Sequence, residues 1–128
     1  MLFNTYFIDV ITDKYSDFSG RARRSEFWFF ILFKWLILSA IVFMSDTNGE
    51  ETLLSKIGFA FFSICLLILI IPTLALSVRR LHDSGNSGWL ITLGIIPIIG
   101  SIILLIFFFL DSEQGSNKYG SDPHEITV

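Results

Sequence analysis

From Ile57 to Ser77 the chain runs for twenty-one residues without a charge, and from Trp89 to Leu110 it does so again. Runs of about 20 apolar residues are what a helix needs to cross the hydrocarbon of a bilayer at 1.5 Å per residue. Composition agrees. Of 128 residues, 52% are hydrophobic and only 16% charged, against roughly 25% charged in soluble domains. Fourteen phenylalanines are more than a small water-facing surface can hide. The chain therefore reads as an all-α membrane protein forming one domain over 1–128. A nucleic-acid partner has no support, since there is no basic domain and no recognition motif. Cys65 is the sole cysteine. It lies in an apolar run, where a thiol acts as a small hydrophobe.

Four further segments complete the layout. In residues 2–15, Leu2, Phe3, Tyr6, Phe7, Val10 and Ile11 recur at helical spacing, with Asn4, Thr5, Asp9, Thr12 and Asp13 opposite. This predicts an amphipathic helix, lying in the membrane interface or packed on the protein's own spans. The same segment lacks a basic start and a small-residue cleavage site, so a cleavable signal is not expected. After a break at 17–20, with Asp17 or Ser19 as a candidate cap, GRARRSE leads into a first span over 27–44. Its one charge is Lys34, some seven residues past Phe27 and about 10 Å in, within reach of snorkelling. Residues 45–56 form a polar loop.

The second span covers 57–78 and holds Pro72, which predicts a kink. The third covers 89–110 and is weakened by Gly94, Pro97 and Gly100. It is read as a kinked spanning helix, with a re-entrant hairpin turning at 97–100 as the alternative. The tail, 111–128, is polar and mobile outside 117–123. The expected architecture is an N-terminal interfacial helix plus three transmembrane helices.

Positive charge sets orientation. Lys14, Arg21, Arg23 and Arg24 precede the first span, and Arg79 and Arg80 follow the second. Lys56 and Lys118 fall in the other two connections. The N-terminus is thus expected in the cytoplasm and the C-terminus in the periplasm.

The segment RRLHDSGNSGW (79–89) carries more charge than a turn needs. Ions beside hydrocarbon require partners, so Glu26 is expected to pair with Arg79 or Arg80. Asp83 is expected to accept from Arg21, Arg23 or Arg24. These two acids are structural ion-pair candidates. Arg21, Arg23, Arg24, Arg79, Arg80 and His82 form a candidate basic surface for anionic lipid head groups or a partner protein. His82, Asp83 and Ser84 are adjacent in sequence, which is no evidence of a triad. No metal motif is present. No catalytic residue, metal or cofactor is assigned.

The motifs FSGRARRSEFW (18–28), RRLHDSGNSGW (79–89), IPIIG (96–100) and NKYGSDP (117–123) together resemble the YhaH-like small inner-membrane proteins of bacteria, domain-of-unknown-function family 805. The resemblance covers nearly the whole chain. It implies a multi-pass protein of the bacterial inner membrane and brings no chemistry with it. Lys34 departs from the uncharged position expected in such proteins. The first functional expectation is a non-enzymatic membrane protein using its cytoplasmic basic surface. The alternatives are a membrane enzyme acting on a phosphate-bearing lipid, with Glu26, His82 and Asp83 as acid–base groups, and a small oligomeric transporter. A homo-oligomer is also compatible.

Overall fold

A computed structural model describes residues 2–45 and 49–124, and among these the chain is helical, with one isolated bridge between Asn117 and Gly120. Two long helices make the frame, α2 (Arg24–Ser45) and α3 (Leu53–Asp83). They run antiparallel. Glu26 near the start of α2 meets Arg79 near the end of α3, and Ser45 at the far end of α2 packs directly on Gly58. Only a residue without a Cβ fits opposite Ser45 at that crossing. Both helices are long and apolar enough to cross a membrane. Only 17% and 22% of their most apolar stretches are buried within the protein. The core helix of a soluble protein would be mostly covered, whereas here Phe43, Met44 and Leu67 face outward.

α3 starts where the Thr52 hydroxyl caps the Ser55 amide. It continues past the expected end at Val78 to Asp83. Its 31 residues span about 46 Å, longer than a hydrocarbon core of about 30 Å. The last turn can therefore stand clear of hydrocarbon. Arg79, Arg80, His82 and Asp83 are thus helix residues, not turn residues, and an Arg80–Asp83 pair at i,i+3 braces that turn.

The N-terminal segment is a π-helical turn (Asn4–Ile8) running into a short helix, α1 (Asp9–Ile11), and is not helical over the full 2–15. Much of its aromatic face turns onto α2, while Leu2 and Phe3 remain exposed. Phe7 stacks on Phe30 at 5.3 Å, Tyr6 on Phe29 at 5.5 Å, and Phe3 meets Phe33 edge-on at 5.3 Å. Val10 is fully buried. The aromatics of α2 offer a closer apolar partner than an interface does. The break at 17–20 is an Asx turn, in which Asp17 accepts from the amide and hydroxyl of Ser19. Asp17 does not cap α2, which begins only at Arg24.

Pro72 cannot donate to the carbonyl of Ile68 one turn earlier. The Tyr15 hydroxyl donates to that oxygen instead, at 2.7 Å. Tyr15→Phe is expected to cost about 1 kcal/mol, read as a fall in Tm in detergent. In a Pro72→Ala background the backbone amide returns, and the same change should cost much less. Equal losses in both backgrounds would refute this pairing.

The expectation of one continuous helix over 89–110 is corrected. Residues Gly88–Ile95 form a 3-10 helix, and α4 (Ile99–Phe109) follows a sharp reversal. Pro97 and Ile98 make the turn. The Ile99 amide donates to the Pro97 carbonyl at 2.7 Å across Ile98, whose φ is 64° and ψ −68°. This is a γ-turn in its strained, positive-φ form. Gly100 then lies directly against the Leu93 carbonyl, where a Cβ would collide with backbone. The limbs match in length: eight 3-10 residues and eleven α residues each rise about 16 Å. Proline removes a helix amide, and glycine lets the limbs touch. Together they turn the run back on itself.

Candidate functional site

The reversal returns the chain to the arginine end of the long helices. Residues 110–119 pack beside RRLHD, not across the molecule from it. The last carbonyls of α4 have no partner within their own helix, and arginines fill them. Arg80 Nε donates to Phe108 O at 3.2 Å, and its Nη2 to Leu110 O. Arg24 Nη1 reaches Phe109 O at 3.4 Å. Cations at a helix C-terminus also match its dipole. Arg80 therefore caps α4 rather than its own helix.

Asp83, fully buried, is the centre of the first ion network. Its Oδ1 accepts from Arg21 Nε at 3.0 Å, and its Oδ2 from Arg80 Nη1 at 2.5 Å and from the Ser112 hydroxyl. The Asp83 carbonyl accepts the Glu113 amide at 2.7 Å. Arg21 continues to the carbonyls of Gly115, at 2.6 Å, and Glu113. Both guanidiniums are almost wholly enclosed. Each buried charge here has an opposite charge and hydrogen bonds, the condition under which burial is tolerable.

Glu26 centres a second network. Its Oε1 accepts from Arg79 Nη1 at 3.1 Å and from Lys14 Nζ at 3.4 Å. Nε and Nη2 of Arg79 are buried without a protein partner among the described residues. His82 belongs to neither network. Its Nδ1 meets Gly20 O at 3.0 Å, its carbonyl accepts from Asn117, and its ring stacks on Tyr119 at 3.8 Å. No hydrogen bond or ion pair joins any two of Glu26, His82 and Asp83 among the described residues.

Of the six candidates for a basic surface, Arg21, Arg79 and Arg80 are thus buried in these contacts, and His82 is largely covered. Arg23 is partly exposed and donates to the Pro123 carbonyl. Arg24 keeps half of its side chain exposed while pairing with the open Asp111 at 2.8 Å. It stands at the mouth of a groove of about 340 Å³ lined by Ser25, Trp28, Phe29, Leu32 and Phe109. Lys34, at mid-length in α2, lays its ammonium over the Trp35 ring at 5.2 Å. The hydroxyls of Ser39, Ser63, Thr73, Ser77 and Thr92 donate to carbonyls of their own helices. No three His, Cys, Asp or Glu side chains gather as metal ligands among the described residues.

Sequence reasoning missed the tail. The Glu113 and Gly115 carbonyls hold Arg21, Ser112 donates to Asp83 and Asn117 to the His82 carbonyl, and the cue was NKYGSDP, too ordered for a loose end. Asp122 closes that turn by accepting from the amides of His124 and Gly115. The His124 amide bond above all holds its carboxyl below the ordinary value. That contribution is present at neutral pH and is lost as pH falls through the lowered pKa.

A family model described as Protein of unknown function (DUF805) matches residues 15–121. Relatives in Escherichia coli K12 include Inner membrane protein YhaI, 39% identical over 118 residues, covering 92% of this chain and 94% of the relative. Inner membrane protein YhaH is 33% identical over 120 residues, covering 88% and 92%. Uncharacterized protein YiiR is 29% identical over 134 residues, covering 85% and 87%. No solved structure matches.

Proposed function

The chain belongs to the DUF805 family, and from that premise we propose that it is a small, non-enzymatic protein of the bacterial inner membrane that holds anionic phospholipid at its cytoplasmic face. In this reading α2 and α3 span the bilayer, and residues 88–109 dip in from the cytoplasm and return. Two relatives named as inner membrane proteins support the location. Orientation follows from charge. Seven of the nine Lys and Arg residues lie at the end where residues 14–24, 79–83 and 118 meet. Lys56 is at the other end and Lys34 within α2. That asymmetry favours the cytoplasm for the crowded end. A C-terminal reporter fusion should accordingly report the cytoplasm, and a periplasmic signal would overturn the dipping hairpin.

One observation carries the lipid assignment: Arg24 is half-exposed above an apolar, aromatic groove while Arg21, Arg79 and Arg80 are spent on internal partners. A phosphate beside Arg24 would leave its acyl chain along Trp28, Leu32 and Phe109. A juxtamembrane cation is worth about 1 kcal/mol to an anionic head group. Arg24→Ala is expected to lower retention of phosphatidylglycerol in native mass spectrometry about fivefold. Asp111→Asn, which frees Arg24, should raise it. Unchanged retention in both variants would refute the site. An acid–base reading gains nothing from the geometry, because Glu26, His82 and Asp83 sit in separate contacts.

A further inference from the structure

A second groove, of about 570 Å³, opens between the last turn of α3, the start of the 3-10 helix and the 117–120 turn. It falls within the roughly 300–1,000 Å³ usual for small-ligand sites. Phe18, Val78, Trp89 and Ile91 make it apolar, and His82 and Ser87 are its polar groups beside Tyr119.

The state of His82 follows from its partner. A carbonyl can only accept, so the 3.0 Å contact with Gly20 O places the proton on Nδ1. Nε2 then carries a bare lone pair. The side chain is about nine-tenths buried, and no protein donor among the described residues reaches that nitrogen. It lies beside Gly88, where a Cβ would come within 3.1 Å of Nε2 and 2.7 Å of Val78 Cγ1. The absence of a side chain at 88 is what leaves Nε2 open to the groove. Lys118 stands over the outer side of this wall, its ammonium 5.0 Å from the Tyr119 ring centre. Trp89, 82% exposed, flanks the mouth with the amphipathic ring typical of interfacial anchors.

We infer that this groove is a head-group site for a hydroxylated anionic phospholipid of the phosphatidylglycerol type. A head-group hydroxyl donates to His82 Nε2, the phosphate lies towards Lys118, and an acyl chain follows Val78 and Ile91 inward. Lys118 decides between donors. It attracts a phosphate next to a neutral hydroxyl and repels the ammonium of phosphatidylethanolamine. The inference rests on the proposed membrane placement of this end, but not on the Arg24 groove.

The test uses the full chain and native mass spectrometry with three probes: phosphatidylglycerol, phosphatidylmethanol, which is anionic without the hydroxyl, and phosphatidylethanolamine. Measured in an Arg24→Ala background, so that the other anionic site does not mask it, phosphatidylglycerol is expected to be preferred over phosphatidylmethanol by roughly five- to tenfold, the value of one hydrogen bond. Gly88→Ala, which covers Nε2, and His82→Phe, which removes it, should each erase that preference. Lys118→Gln should weaken both anionic lipids and keep their ratio. With Arg24 restored, total retention should rise and the ratio shrink, because that site asks only for a phosphate; a ratio that is the same with and without Arg24 marks a failure of the Arg24 site and leaves this one standing. Equal retention of the first two probes by Arg24→Ala, or a preference that survives both Gly88→Ala and His82→Phe, would overturn the assignment.

Discussion

Asp83→Asn is expected to destabilise the protein by about 3–5 kcal/mol, the usual result of removing one partner from a buried ion pair. The side chain keeps its shape but loses its charge. Arg21 and Arg80, each almost fully enclosed, would then face one another without an anion between them. The amide also turns one acceptor into a donor, set against Arg80 or Ser112. Thermal unfolding in detergent should show a Tm loss well beyond that of Glu26→Gln. Glu26 keeps some access to solvent, and Lys14, one of its two partners, has a side chain 42% exposed. Comparable losses for the two variants would mean that the Asp83 network is not the main fastening of this end.

The second large effect concerns the reversal at residues 96–100, where two substitutions should act in opposite directions. Ile98 is β-branched and holds a positive φ of 64°, a conformation that costs such a residue about 1–3 kcal/mol. Ile98→Gly should therefore stabilise the protein. Were residues 89–110 a continuous helix, the same glycine would destabilise it by about 1 kcal/mol, so the sign alone separates the two structures. Gly100→Val should do the reverse. Its side chain would meet the Leu93 carbonyl, which cannot rotate away. The limbs would have to part, at a cost of roughly 1–3 kcal/mol or more. A stabilising Gly100→Val would sink the hairpin.

Much of the frame was legible because it depends on run length and charge. Residues 27–44 and 57–78 read directly as long apolar helices, and the two longer helices contain them. The candidate acids also told something: a buried carboxylate among arginines has few stable arrangements, and Glu26 meets Arg79 while Asp83 meets Arg21. What misled was the third run. Hydropathy sees Trp89 to Leu110 as one stretch, because it counts residues and not direction. Only Pro97 followed by Gly100 hinted at a reversal. The tail misled for a related reason. Polar composition predicts solvent, yet Ser112 bonds the Asp83 carboxylate, Gly115 accepts from Arg21 and Asn117 donates to the His82 carbonyl. Tyr15 was invisible too, since its role exists only because Pro72 lies far along the chain and leaves one carbonyl bare.

The link from Arg21 to Gly115 spans 94 positions of chain. Loop closure over such a distance is slow and cannot begin until both ends exist. During synthesis, α2 and α3 emerge while Arg21, Arg80 and Asp83 still lack their partners from residues 108–115. Until those residues arrive, this end of the helical pair lacks part of the contacts that its buried charges require. Completion waits for residues 108–115 to leave the ribosome, and a chain stopped before them would hold Arg21, Arg80 and Asp83 without the carbonyls and hydroxyl that complete their shells.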